Sequence, residues 1–141
     1  LNKKLFNKLF NRRTTTMSLQ FLLDSQKKFQ ERMGNNFEIM TREERSAYIK
    51  EHGYFLMEEV TEMLREMPFH KSWKDYSSWD EEKHSEQEQL MREEAIDGLH
   101  FMINILLALD MNEAEIIGMY KEKNKLNYQR QEDSNLGYVN K

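Results

Sequence analysis

The sequence has no cysteine, one proline and five glycines in 141 residues. Without cysteine there is no disulfide scaffold, no thiolate metal site and no cysteine nucleophile. So little glycine and proline removes the turn chemistry of an all-β sandwich and the glycine-rich loops of nucleotide-binding α/β folds, which leaves helix as the default. Long apolar runs are missing too. The strongest, Ile96 to Leu109, is interrupted by Asp97, His100 and Asn104 and falls short of the ~20 residues that span a bilayer.

What is present suffices for one core. Apolar residues make up 38% and aromatics 11%, and eight Phe, six Tyr, two Trp and ten Met argue against the disorder that 33% charged residues would otherwise suggest. The net charge of -4 hides an asymmetry. Residues 1–16 carry Lys3, Lys4, Lys8, Arg12 and Arg13 and no acid, which leaves 16 bases against 25 acids in the rest of the chain. That acidic body repels nucleic-acid phosphates, so no general nucleic-acid binding is expected, although a polyanion can still be held locally through a divalent cation.

The first segment, LNKKLFNKLFNRR, spaces Leu1, Leu5, Phe6, Leu9 and Phe10 as an amphipathic helix would, with bases between them. It reads as a basic extension or processing residue over 1–16, outside the fold, with Met17 a suitable start. From Ser18, the positions Leu19, Leu22, Leu23, Gln26, Phe29 and Met33 predict a first helix, closed by Gly34. Thr41 and Glu44 form a capping box for a second helix running to about Met67, before Pro68. Residues 68–84 lack a period and read as a long loop, a kind that is usually functional. Ser85 and Glu88 predict the start of a third helix that ends near Asp110. Asn112 and Glu115 open a fourth, running to about Gln131 and leaving a tail with Gly137 and Tyr138. The expected fold class is therefore all-α, a four-to-five-helix bundle. The third helix is apolar on nearly every face, so it must be covered all round, and a chain this short needs a symmetry mate for that. A homodimer or a dimer of dimers is expected.

The acids carry the chemistry. Leu56, Val60, Met63 and Met67 form the core stripe of the second helix, with Glu59, Glu62 and Glu66 along its edge and Glu58 further toward water. Like charges at i,i+3 and i,i+4 repel by a few tenths of a kcal/mol per pair. On the third helix, Glu94 and Asp97 share a face with Leu90 and Phe101. Any one of these acids reads most simply as solvated surface. Two such pairs beside apolar stripes, packed face to face, make a four-carboxylate pocket whose hard oxygens suit Mg²⁺ or Mn²⁺ rather than Zn²⁺. A di-iron centre would need a second x-x-His pair beside that of Asp97 and His100, and none is present. On the fourth helix, Asn124, Asn127 and Arg130 repeat every three residues with Lys123 nearby, and can offer donors to phosphate or a base. The alternative is a polar helix end with its bases favoured by the dipole. In the loop, His70, Lys71, Trp73 and Lys74 combine an aromatic plate with bases. Burial of Trp73 in the core is an equally good account.

The second helix reads E-E-V-T-E-M-L-R-E, the third E-A-I-D-G-L-H-F, and the fourth K-N-K-L-N-Y-Q-R-Q followed by G-Y. Over residues 19 to 138 this resembles the all-α nucleotide pyrophosphohydrolases of the MazG superfamily, and within them the dimeric dUTPases, with F-H-K-S-W-K and K-N-x-x-N-x-x-R-Q pointing to that branch. The resemblance implies one all-α pyrophosphohydrolase domain over 17–141, with Mg²⁺ as cofactor (Mn²⁺ as the alternative) and a deoxynucleoside triphosphate as substrate. It implies metal ligands at Glu59, Glu62, Glu94 and Asp97, with Glu58 completing the motif of the wider superfamily, and a general base at Glu59 or Glu62. It further implies that Trp73 meets the base, that Gln26 lies near the uracil, and that Lys74, Lys123, Asn127 and Arg130 act on the phosphate and sugar sides. The expected reaction is dUTP to dUMP and pyrophosphate, in the cytoplasm of a bacterial or phage-infected cell, with organellar import the alternative raised by the basic segment. The competing readings are a pyrophosphohydrolase for dCTP or a purine or modified dNTP, and a helical binding dimer without turnover.

Overall fold

The computed structural model describes residues 18–132, which form four helices and, among the described residues, no strand: α1 (Leu19–Arg32), α2 (Arg42–Glu66), α3 (Glu81–Ala108) and α4 (Glu113–Glu132). No helix among them is long and apolar enough to cross a membrane. The basic segment 1–16 and the tail with Gly137 and Tyr138 lie outside the described residues.

Local hydrogen bonding explains most of the boundaries. Thr41 N–H donates to Glu44 Oε2 at 2.7 Å and Glu44 N–H to Thr41 Oγ1 at 3.2 Å, the reciprocal box expected at the start of α2. Asn112 and Glu115 do the same for α4, at 3.0 Å each way. At the end of α1, Asn35 N–H reaches back to Gln30 O and Gly34 N–H to Glu31 O, a Schellman closure that needs the left-handed φ of +89° at Gly34. The same closure ends α3, with Met111 N–H on Leu106 O and Asp110 N–H on Leu107 O, so here an aspartate occupies the left-handed position at φ 59°. The start of α3 differs from expectation. Asp80, not Ser85, is the cap, its carboxylate accepting from Lys83 N–H at 2.9 Å, and Glu81 and Glu82 then sit in the first turn where the helix dipole favours them. The loop is correspondingly shorter, and Ser85 and Glu88 are interior residues of the helix.

α2 and α3 run antiparallel and form the body of the fold. Gln87 Nε2 donates to Glu66 O at 3.0 Å at one end of the pair, Gly98 faces Leu56 and Glu59 in the middle, and Arg45 Nη1 donates to Ala108 O at 2.9 Å at the other end. Gly98 places backbone where a side chain would stand: a Cβ there would already lie 3.4 Å from Leu56 Cδ1. Phe37, Tyr48 and Ala108, with Met40, Ile49 and Leu107, close the core beside Arg45. The Arg45 guanidinium also donates to Phe37 O and Met40 O, tying the α1–α2 connection to the end of α3.

α1 packs on α3 through only part of its expected stripe. Its buried residues are Leu23, Gln26 and Gln30, whereas Phe29 and Met33, expected in the core, are 53% and 65% exposed. α4 packs on α1 alone and buries no residue, although Gln20 N–H donates to Glu113 Oε1 at 3.0 Å where the two helices begin. Nor is α3 covered all round within one chain. α2 and α1 take two sides, and Leu99, Met102 and Leu109 remain exposed at heptad-like spacing.

Replacing Arg45 with Met keeps the aliphatic stem but leaves three carbonyls without their shared donor. The expected loss is about 1.5–3 kcal/mol, the scale of a charged hydrogen-bonding group, read from urea unfolding of both proteins. An unchanged midpoint would show that water replaces the guanidinium at no cost.

Candidate functional site

The α2–α3 pairing brings acids from both helices together. Carboxylate oxygens of Glu59, Glu62 and Glu94 lie within 4.8 Å of one another, with Glu59 and Glu94 half-buried and Glu62 exposed. Glu59 stands opposite Gly98, so the absence of a side chain there lets the helices approach where their charges meet. The Glu59 carboxyl is held above the usual carboxylate range, first by desolvation, then by a hydrogen bond with Glu94 and by the charges of Asp97, Glu62 and Glu94. An acid raised in this way is one for which a divalent cation would substitute for the shared proton.

A cavity of about 200 Å³ adjoins the acids, and Glu59 and Asp97 belong to its wall. The rest of the wall is mainly amide and aromatic: Gln26 and Gln30 from α1, His52 from α2, Phe101 and Asn104 from α3. Asn104 is only 2% exposed, and its Oδ1 accepts from Gln26 Nε2 at 2.8 Å. Gln30 Oε1 accepts from Tyr48 Oη at 2.8 Å and from Asn35 Nδ2 at 2.9 Å. His52 stacks on Tyr48 with ring centroids 3.7 Å apart, and its Nδ1 lies 3.0 Å from Tyr48 O. Burying so many amides beside a helix interface is costly unless they are paired or meet a polar ligand. Among the described residues no buried side-chain N or O lacks a partner.

The expected site residues thus divide. Gln26, Glu59 and Asp97 line one cavity, and Glu62 and Glu94 join Glu59 at its edge. Glu58 lies on the outer side of α2 beside Tyr54, Thr61 and Arg65. Trp73 is 82% exposed, so its burial in the core is corrected: Tyr76 is the buried aromatic of the loop, with Trp79 against it. Lys74 lies with its Nζ 5.5 Å from the Tyr76 ring centre and 5.6 Å from that of Trp79. Lys123, Asn127 and Arg130 ride on α4, which contacts α1 and not the acid-bearing helices. Sequence reasoning missed His52, Gln30 and Asn104. The signal for Asn104 was present, as a polar residue inside the most apolar stretch of the chain.

The raised Glu59 has a measurable consequence. Its folded-state pKa lies above the unfolded value, so its stabilising contribution is fully present below the ordinary carboxylate range and is lost as pH rises through the folded value. In metal-free buffer the unmodified protein should therefore lose thermal stability relative to Glu59→Gln as pH rises from about 4 to about 7. Mg²⁺ should restore the unmodified protein and not the variant. Parallel stability curves for the two proteins would show that the acids do not strain one another.

A family model described as dUTPase matches residues 18–115, which include α1, α2, the loop and α3. No curated protein and no solved structure matches the chain. The matched span holds every acid of the cluster and the whole wall of the adjoining cavity, and on that match the chain belongs to the dUTPase family, all-α in fold.

Proposed function

We propose that this protein hydrolyses dUTP to dUMP and pyrophosphate in a Mg²⁺-dependent reaction. The observation that carries the reading is the adjacency of two unlike environments: a cluster of three carboxylates opens beside a small cavity walled by Gln26, Gln30, His52 and Asn104. A triphosphate brings about four negative charges, which an acidic cluster tolerates only through a cation. A base of pyrimidine size suits the amide-lined cavity, and the acids then lie on its phosphate side.

The donor set fits a hard divalent ion, with Glu59, Glu62 and Glu94 as ligands and Asp97 beside them. When bound, Mg²⁺ or Mn²⁺ supplies positive charge against the phosphates and acidifies a coordinated water. The chain supplies the rest. Gln26 and Asn104 fix the base, which sets the distance from base to α-phosphorus. Glu59 or Glu62 accepts the proton of the attacking water. Water adds at the α-phosphorus, the bond to the bridging oxygen breaks, and pyrophosphate leaves.

The family resemblance also assigns Trp73, Lys74, Lys123, Asn127 and Arg130 to the substrate. They lie on the loop and on α4, apart from the acid cluster, so in this reading they reach the substrate when the loop closes or from a second copy. Glu58 serves as an outer partner to the cluster. The open stripe of Leu99, Met102 and Leu109 and an α4 that buries no residue support a homodimer or a dimer of dimers. Light scattering at micromolar protein should give at least twice the 17.2 kDa chain mass, and Met102→Asp should lower it.

Incubation with each of the four common dNTPs and dUTP in Mg²⁺ tests the activity. Pyrophosphate should appear fastest from dUTP and vanish with chelator. Glu62→Gln should reduce turnover by roughly 10²-fold or more, through loss of a metal-ligating carboxylate, with helix content unchanged because a like-charge contact is removed. Pyrophosphate from none of the substrates would refute the enzyme, and preference for dCTP or a purine nucleotide would refute the base. Near-normal turnover by the variant would take Glu62 out of the site.

A further inference from the structure

Most polar groups lining the cavity can rotate to present either hydrogen-bonding sense. An amide pair such as Gln26 and Asn104 keeps one hydrogen bond in either orientation, so by itself it does not decide whether a ligand meets a donor or an acceptor. The Gln30 amide bonds Tyr48 Oη and Asn35 Nδ2, a hydroxyl and an amide that can each take either role, so it too can turn. One wall group is different. The His52 Nδ1 lies 3.0 Å from the carbonyl oxygen of Tyr48, an atom that can only accept. In the neutral ring the proton therefore sits on Nδ1, and Nε2 is left as an acceptor. That ring is 7% exposed, stacks on Tyr48 and has Phe55 and Phe101 against it, and a half-turn within that stack would put a carbon where Nδ1 meets the carbonyl and lose the hydrogen bond. Among the described residues Nε2 has no hydrogen-bond partner, and it is not sealed off.

Resting on the reading of this cavity as the base site, we propose that His52 is a specificity-determining residue that selects a ring N–H flanked by a carbonyl, the lactam edge of uracil, against the edge of cytosine. His52 Nε2 would accept from the ring N–H and Gln30 Nε2 would donate to the neighbouring carbonyl. Cytosine presents a lone pair at the ring nitrogen and an amino group beside it. Its lone pair would face that of His52, a mismatch at a group that cannot turn. Gln26 and Asn104 adjust to either base and so contribute affinity rather than choice.

The test joins NMR of the unmodified protein with kinetics of two variants. In protein labelled with ¹⁵N-histidine, His52 Nδ1 should show the shift of a protonated nitrogen and Nε2 that of an unprotonated one. Addition of dUMP should move Nε2, and dCMP should not. A proton found on Nε2 in the free protein would overturn the assignment, whatever the kinetics. In Mg²⁺ the ratio of kcat/KM for dUTP over dCTP should fall at least about tenfold in His52→Gln, whose amide can rotate, as expected when a hydrogen-bonded group stops discriminating. His52→Phe keeps an aromatic ring on Tyr48 and should lose the preference likewise, which separates the acceptor from the stack. Magnesium dependence should be unchanged in both. An unaltered ratio in a folded variant would overturn the role of His52 and leave the hydrolase reading intact. No turnover of any dNTP by the unmodified protein, with no binding of dUMP, would overturn the hydrolase reading and this assignment with it.

Discussion

Two helices that carry like charges have to be held together along the line where those charges meet. Glu59 and Glu62 on α2 meet Glu94 and Asp97 on α3, and the pairing is held by Phe101 against His52 and Phe55 and by hydrogen bonds at its two ends. At one end Gln87 holds the last turn of α2, and at the other Arg45 gathers carbonyls from the α1–α2 connection and the end of α3. Gly98 keeps the middle close. The closeness of the acids thus depends on packing at some distance from them.

The second constraint is the polarity of what α1 buries. A helix normally docks through its apolar stripe, and α1 has one in Phe29 and Met33 that it leaves outside. Its inward positions are Leu23, Gln26 and Gln30, so docking rests on hydrogen bonds to Asn104 and Tyr48 more than on removal of apolar surface from water. The arrangement gives the cavity directional groups, which an apolar interface would lack.

Much of this was legible in the residues. The capping pairs Thr41 with Glu44 and Asn112 with Glu115 act locally, within four residues, and local chemistry survives folding unchanged. The acids were legible because an i,i+3 pair on a helix has a fixed geometry wherever the helix goes. The start of α3 was not, since Asp80 and Ser85 both have cap chemistry and only the packing of the loop aromatics on the first turn chooses between them. The face of α1 was legible only in part: Leu23 and Gln26 of the expected stripe turn inward, but periodicity does not say that Phe29 and Met33 point out of their own chain. His52 and Asn104 carry no motif, and their meaning appears only when helices far apart in sequence wall one cavity.

The polar underside of α1 also bears on how such a protein can be improved. Leucine at Gln26 or Asn104 would exchange paired amides for apolar contact between α1 and α3, a kind of substitution that often stabilises a fold. Here it would seal the cavity. If the cavity takes the base as proposed, a search for thermostable variants by stability alone would drift toward chains that fold better and recognise nothing, with the amides between α1 and α3 the first groups lost.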